Sequence, residues 1–188
     1  MKKRYNFIYQ NFLTALKDLR KLRNYFIFSL VLFFLFSIIG IVFPHILEDK
    51  ILELIKSLIN KTDGLNVIEL FIFITSNNIQ VSFFGMILGI IFAIIPTLTL
   101  IINGYVLGFV INRSIVSEGI FIIWRLFPHG IFEIPAILIS TSLGIKIGTD
   151  FKNIKKNLKS ALRIFILIVV PLLVIAGIIE SILVGLIN

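Results

Sequence analysis

Apolar residues run along this chain in blocks of bilayer-spanning length, separated by short polar stretches. Before the first block, Tyr5, Ile8, Phe12, Ala15, Leu16, Leu19 and Leu22 recur at three- and four-residue steps, with Lys2, Lys3, Lys17, Arg20 and Lys21 on the remaining positions. This spacing predicts an amphipathic helix over 1–24, which lies in the membrane interface or packs on the loops of its own bundle. The uncharged run 25–43 is the first span, ended by Pro44. Residues 44–78 read as an amphipathic segment outside the membrane, with Ile51, Leu52, Ile55, Leu58 and Ile59 at helical spacing and a turn at Lys61-Thr62-Asp63-Gly64. The apolar run 67–75 is too short to cross and is expected to lie on the surface or re-enter.

Asn77-Asn78 then precedes an apolar stretch too long for one helix. Pro96 divides it into expected spans at 79–95 and 97–111, because proline breaks the helical ladder and disfavours helix just before itself. Residues 112–127 read as a mixed loop with Trp124 at headgroup depth. The fourth span is expected at 128–147, a basic loop at 150–163, and the fifth span at 164–187. The fold class is therefore all-α: a single polytopic membrane bundle over 1–188, with about five transmembrane helices plus amphipathic interfacial helices.

Charge supplies orientation. Lys2, Lys3, Arg4, Lys17, Arg20, Lys21 and Arg23 precede the first span, and Lys152, Lys155, Lys156, Lys159 and Arg163 follow the fourth. After the first span, Lys50, Lys56 and Lys61 are outnumbered by Glu48, Asp49, Glu53, Asp63 and Glu69. The positive-inside rule makes both basic segments cytoplasmic, in the plasma membrane with the N-terminus inside. Five spans satisfy this and four do not. The expected partners are the bilayer, anionic headgroups on the cytoplasmic side, further copies of the chain and other membrane proteins.

Composition narrows the function. Of the 188 residues, 58% are hydrophobic, above the about 45–50% of soluble domains. The net charge of +8 sits beside apolar runs and has no groove-reading motif with it, so nucleic acid is not an expected partner. The absence of cysteine removes disulfides, thiolate metal sites and Cys nucleophiles.

Ionisable groups inside a bilayer cost several kcal/mol each and call for an explanation. His129 and Glu133 are four apart, on one helical face, within Pro128-His129-Gly130-Ile131-Phe132-Glu133-Ile134-Pro135. One reading is a divalent-metal site or proton relay, for which two ligands are too few without His45, another carboxylate or a symmetry-related copy. The other is a His–Glu pair hydrogen-bonded in the bundle and joined by Arg113 or Arg125. With Asn103 these residues form the candidate polar cluster. Glu180, in the last span, lies near the outer interface or partners one of those arginines. No cofactor is expected apart from that possible metal.

The order His-Gly-Ile-Phe-Glu is not the zinc-protease motif, and no span holds adjacent acidic residues. No enzyme is expected. Gly85 with Gly89, Gly104 with Gly108, and Gly144 with Gly148 repeat the small-xxx-small spacing that lets helix backbones approach. They serve packing within the chain or the docking of partner helices.

These elements in order resemble the stage II sporulation protein M family: the basic helix and first span, Asn77-Asn78 before a hairpin with Gly85, Gly89 and Pro96, then Asn103-Gly104 with Gly108. The Pro128–Ala136 block closing on Gly144 and Gly148 is the most specific part. The similarity covers about residues 5–185. It implies a non-enzymatic membrane scaffold; in spore-formers the namesake works with two membrane-anchored proteins that remodel peptidoglycan. The alternative is a small transporter or channel subunit with a broken-helix site at Pro96 and Asn103, and an ion at His129 and Glu133.

Overall fold

The computed structural model describes the backbone of residues 2–119 and 123–185, and the side chains of 8–119 and 130–184. Eight helices account for most of it: α1 (Lys2–Arg20), α2 (Arg23–Val42), α3 (Glu48–Thr62), α4 (Val67–Ile87), α5 (Ile94–Glu118), α6 (Ile123–Thr149), α7 (Ile154–Ile164) and α8 (Val170–Gly185). Among the described residues there is no strand. Five stretches are long and apolar enough to cross a membrane, and they span Arg23–Val42, Val67–Ile90, Ile94–Glu118, Gly130–Thr149 and Phe151–Val184.

The second span begins earlier than expected. Asn66 caps α4: its side-chain oxygen accepts from the Ile68 and Glu69 amides at 3.0 and 3.1 Å, and the Glu69 carboxylate accepts from the Asn66 amide at 2.9 Å. This reciprocal box starts the helix at Val67. No Gly or Pro lies between Val67 and Phe84 to stop it. Residues 67–75 are thus the first turns of the span, and Asn77-Asn78 lies inside it. The cost of Asn in a helix is a few tenths of a kcal/mol, small against losing backbone hydrogen bonds in hydrocarbon.

The division expected at Pro96 falls just before it. A 3-10 turn, Leu88–Ile90, leads to Phe92 and Ala93, both with left-handed φ (49° and 58°). Pro96 is the third residue of α5. Its missing N–H is one a helix start leaves unbonded anyway, and its ring forbids a helical carbonyl four residues earlier.

Residues 112–118, expected as loop, are the last turns of α5. Gly119, at φ 82°, ends that helix with its N–H on the Ile115 carbonyl at 2.9 Å. α6 begins at Ile123, five residues before the expected Pro128. The basic loop 150–163 is largely α7, entered through a 3-10 turn, Phe151–Asn153. It passes through a π-turn, Phe165–Val169, into α8. Pro171, which lacks an N–H, lies just beyond that turn, where the wider spacing accommodates the lost bond.

α6 is the central helix: 61% of its span is buried, against 22–33% of each of the others. Two parallel helix pairs pack close, backbone on backbone. In α2–α5, Gly104 lies on the Phe33 backbone, Gly108 on Ser37, and Gly40 on Tyr105 and Phe109. In α4–α6, Gly89 lies on Gly144, Gly144 on Gly85 and Met86, and Gly148 on Gly89 and Ala93. The α2–α5 pair runs opposite to the α4–α6 pair, and α8 closes against α4 where Gly177 meets Thr75. Ser142 joins α6 to Ser29 of α2 at 2.9 Å, and the Ser140 hydroxyl donates to the Ser82 carbonyl.

Both basic segments meet at one end of the bundle. Asp18 of α1 accepts from Ser160 of α7 at 2.9 Å and pairs with Arg163 at 3.5 Å and Lys21 at 2.8 Å. Ala15, Leu22, Ala161 and Ile164 share the core beneath. α1 therefore docks on the chain's own α7, while Ile8, Tyr9 and Phe12 stay exposed along its other edge.

Candidate functional site

Two cavities flank α6, and Glu133 borders both. The larger, of about 620 Å³, lies between α2, α5 and α6. Phe26, Leu30, Phe34, Val106, Leu107 and Ile134 are among its apolar lining, and among the described residues Asn103 and Glu133 are its polar side chains. Phe34 and Ile131 at its rim are about half exposed, so the groove opens sideways into the space the membrane fills. Asn103 donates to the Thr99 carbonyl at 2.8 Å, which leaves its carboxamide oxygen as an acceptor. Pro135, beside Glu133, has no N–H for the Ile131 carbonyl, so the α6 ladder is interrupted at the groove.

The smaller cavity, of about 300 Å³, lies between α3, α4, α6 and α8. Asn77, Asn78, Glu133 and Glu180 line it from three different spans, with Thr62 of α3. Glu180 thus lines the same cavity as Glu133 and the asparagines. The signal available in the sequence was a carboxylate within an apolar span. The position of Asn77-Asn78 opposite it required knowing that α4 starts at Val67.

The candidate polar cluster is only partly assembled. Asn103 and Glu133 share the larger groove. Arg113 does not join them: it forms an ion pair with Glu48 of α3 and lies over the Phe109 ring, 5.5 Å from its centroid. The side chains of His129 and Arg125 lie outside the described residues. Among the described residues, no three His, Asp or Glu side chains come together as a metal site would require. Nearby, Tyr105 fastens the end of α2, donating to the Phe43 carbonyl at 2.6 Å and accepting from the Leu47 amide at 3.3 Å. Asn112 donates to the Ile41 carbonyl at 3.0 Å.

All six glycines singled out in the sequence lie in the two parallel pairs. Gly40 makes a close backbone approach of the same kind and Gly177 lies against the Thr75 side chain; neither is part of the spaced glycine pairs. The faces expected to dock partner helices are, at these positions, occupied by helices of the same chain. Substituting them therefore strikes the fold before it strikes any association.

Five spans, four of them around the central α6, glycine-packed and with carboxylates within their helices, define a polytopic helical membrane protein. A family model described as "Stage II sporulation protein M" matches residues 29–184, and the chain belongs to that family. It is not a known enzyme family. Among curated proteins the chain is similar to the uncharacterized protein MJ0706 of Methanocaldococcus jannaschii, at 31% identity over 83% of this chain and 76% of that protein. A second uncharacterized protein of that organism, MJ0793, is 41% identical over 39% of this chain and 43% of its own length. No solved structure matches.

Proposed function

We propose that this chain is a non-enzymatic scaffold of the cell membrane that holds other membrane or envelope proteins together, with α1 and α7 on the cytoplasmic face against anionic headgroups. The groove between α2, α5 and α6 carries the reading. Its volume and sideways opening suit the side chains of a helix arriving from the bilayer. Its two polar groups bear on what that occupant is. A lipid acyl chain would cover the Asn103 carboxamide and the Glu133 carboxylate without bonding either, which is costly in hydrocarbon. A partner helix with a Ser, Thr, Asn or Lys at that depth bonds both.

The test is photo-crosslinking in native membranes with a photoreactive residue at Leu107 in the groove, compared with one at Ile178, exposed on α8. A different polypeptide captured from Leu107 and not from Ile178, and lost when Phe34→Trp narrows the groove, is the expected result. Capture of lipid alone, or of a second copy alone, overturns it.

A further inference from the structure

The connection between the second and third spans carries no polar side chain. From Phe83 to Pro96 every residue is apolar or glycine. Ile90, Ile91 and Ile94 are about half exposed, and Phe92 is 74% exposed. Turns that surface in water draw on Gly, Asn, Asp and Ser, and a left-handed φ is ordinarily held by Gly or Asn. Here Phe92 and Ala93 hold it, so the backbone accepts strain to leave an aromatic ring exposed. The backbone of the turn closes on itself. The Ile91 amide donates to the Leu88 carbonyl at 3.0 Å, Ala93 to Gly89 at 2.9 Å and Ile94 to Ile91 at 3.0 Å. The Ala93 carbonyl accepts from the Thr97 amide at 3.3 Å and from its hydroxyl at 2.8 Å. Such a turn suits hydrocarbon, whereas an exposed phenylalanine among three isoleucines is costly in water.

The same corner carries charge. Gly148, near the end of α6, lies on the backbone of Gly89 and Ala93, which sets the turn beside the α6–α7 connection. There Phe151, about half exposed, meets Phe92 edge to face with ring centroids 5.3 Å apart. Lys152 follows directly, and Lys155 and Lys156 fall in the first turn of α7. All three are exposed, and none has an ion pair among the described residues. The neighbouring carboxylate, Asp150, accepts instead from Asn153 at 3.1 Å and from Asn157 at 3.0 Å, with the charge of Lys146 near it.

We propose that this corner seats an anionic phospholipid, with its acyl chains over Phe92, Phe151 and the isoleucines and its phosphate on Lys152, Lys155 and Lys156. The α4–α5 turn then ends inside the leaflet. A zwitterionic lipid satisfies the apolar half of the corner only, and a soluble acidic peptide satisfies the charged half while leaving Phe92 in water. The proposal deepens the reading above, in which this end of the bundle meets anionic headgroups, by placing one selective lipid seat beside a membrane-embedded turn.

The experiment uses the whole chain in nanodiscs of phosphatidylcholine and phosphatidylglycerol. Trp124→Phe removes the natural tryptophan, and Phe92→Trp places a single one at the corner. Lipids brominated on their acyl chains quench its fluorescence on contact. Quenching by brominated phosphatidylcholine is expected in discs of that lipid alone. In mixed discs, bromination of the phosphatidylglycerol is expected to show it enriched at the tryptophan by at least about threefold over its share of the disc. Lys152→Gln, Lys155→Gln and Lys156→Gln together should bring that enrichment to about one. A tryptophan at Ile178, exposed on α8, should show no preference. If Phe92→Trp does not fold, Phe151→Trp reads the same corner. The proposal is overturned by a tryptophan that no brominated lipid quenches, as when water or a second copy covers it. It is also overturned by equal quenching from the two lipids, or by enrichment that survives loss of the three lysines. None of these outcomes bears on capture from Leu107, so the scaffold reading stands or falls separately.

Discussion

At Gly108 a Cβ would collide with the Ser37 backbone, and at Gly104 with that of Phe33. Backbone cannot swing aside as a side-chain tip can, so the two helices must separate. Overpacking of a tight contact costs about 1–3 kcal/mol and more when backbone is the obstacle. Gly108→Leu is therefore expected to destabilise the chain by about 3 kcal/mol, read as an earlier unfolding transition in detergent. Gly130→Ala is the contrast: its nearest neighbour is the Ile134 Cδ1 at 3.6 Å, an ordinary contact, and the transition should move little. The glycine spacing was legible in the sequence. Which helix each glycine faces was not, because i and i+4 spacing fixes a face of one helix and says nothing of what lies across it.

Between elements, the α1–α7 contact turns on Asp18. Partial burial raises its carboxyl, but hydrogen bonds from Lys21 and Ser160 and the charges of Lys21 and Arg163 outweigh that and hold it below the usual carboxylate range. A carboxyl lowered in the folded state adds stability above its unfolded value, near 3.8, and loses it as pH falls through the folded value. Undocking of α1 is thus expected to begin below pH 4. The chain has no cysteine of its own, so Ala15→Cys, at a fully buried position, gives a single reporter. Its thiol should resist a membrane-impermeant reagent at pH 5 and become modifiable after exposure to pH 3. With Asp18→Asn the modification should be faster at both values. Equal protection at both pH values in the parent would refute the assignment. The amphipathic pattern of 1–24 was plain, and it fitted equally a helix on lipid and a helix on protein. Asp18 meeting Ser160 and Arg163 decided for protein on one face, while Ile8, Tyr9 and Phe12 stay exposed on the other.

For the whole molecule, five helical stretches are long and apolar enough to cross a membrane, and α1 and α7 pack together at one end of the bundle. The scaffold reading takes that end as cytoplasmic. Single cysteines at Lys155 and Ser57, probed in intact cells, are expected to be protected and labelled respectively by an impermeant reagent. The reverse pattern would invert the orientation, and equal labelling would break the five-span arrangement.

The sequence by itself determined that the chain is a helical membrane bundle, that five stretches are long and apolar enough to cross, and which family it resembles. Those properties follow from composition and period, since twenty apolar residues in a row have one stable place and every backbone bond must close within its own helix. Helix ends were less secure. The box at Asn66 and Glu69 outweighed the apparent break at Asn77-Asn78, and Gly119 ended α5 later than its charged residues implied. The tertiary structure alone decided the pairings: Arg113 with Glu48, Glu133 bordering both cavities, and Glu180 sharing one with Asn77 and Asn78. The physical reason is distance along the chain. Periodicity is a local property, whereas the cost of an intramembrane carboxylate is relieved by whatever another helix brings to the same depth, and that depth is set by close packing of the Gly89 and Gly144 backbones and of Gly177 on the Thr75 side chain.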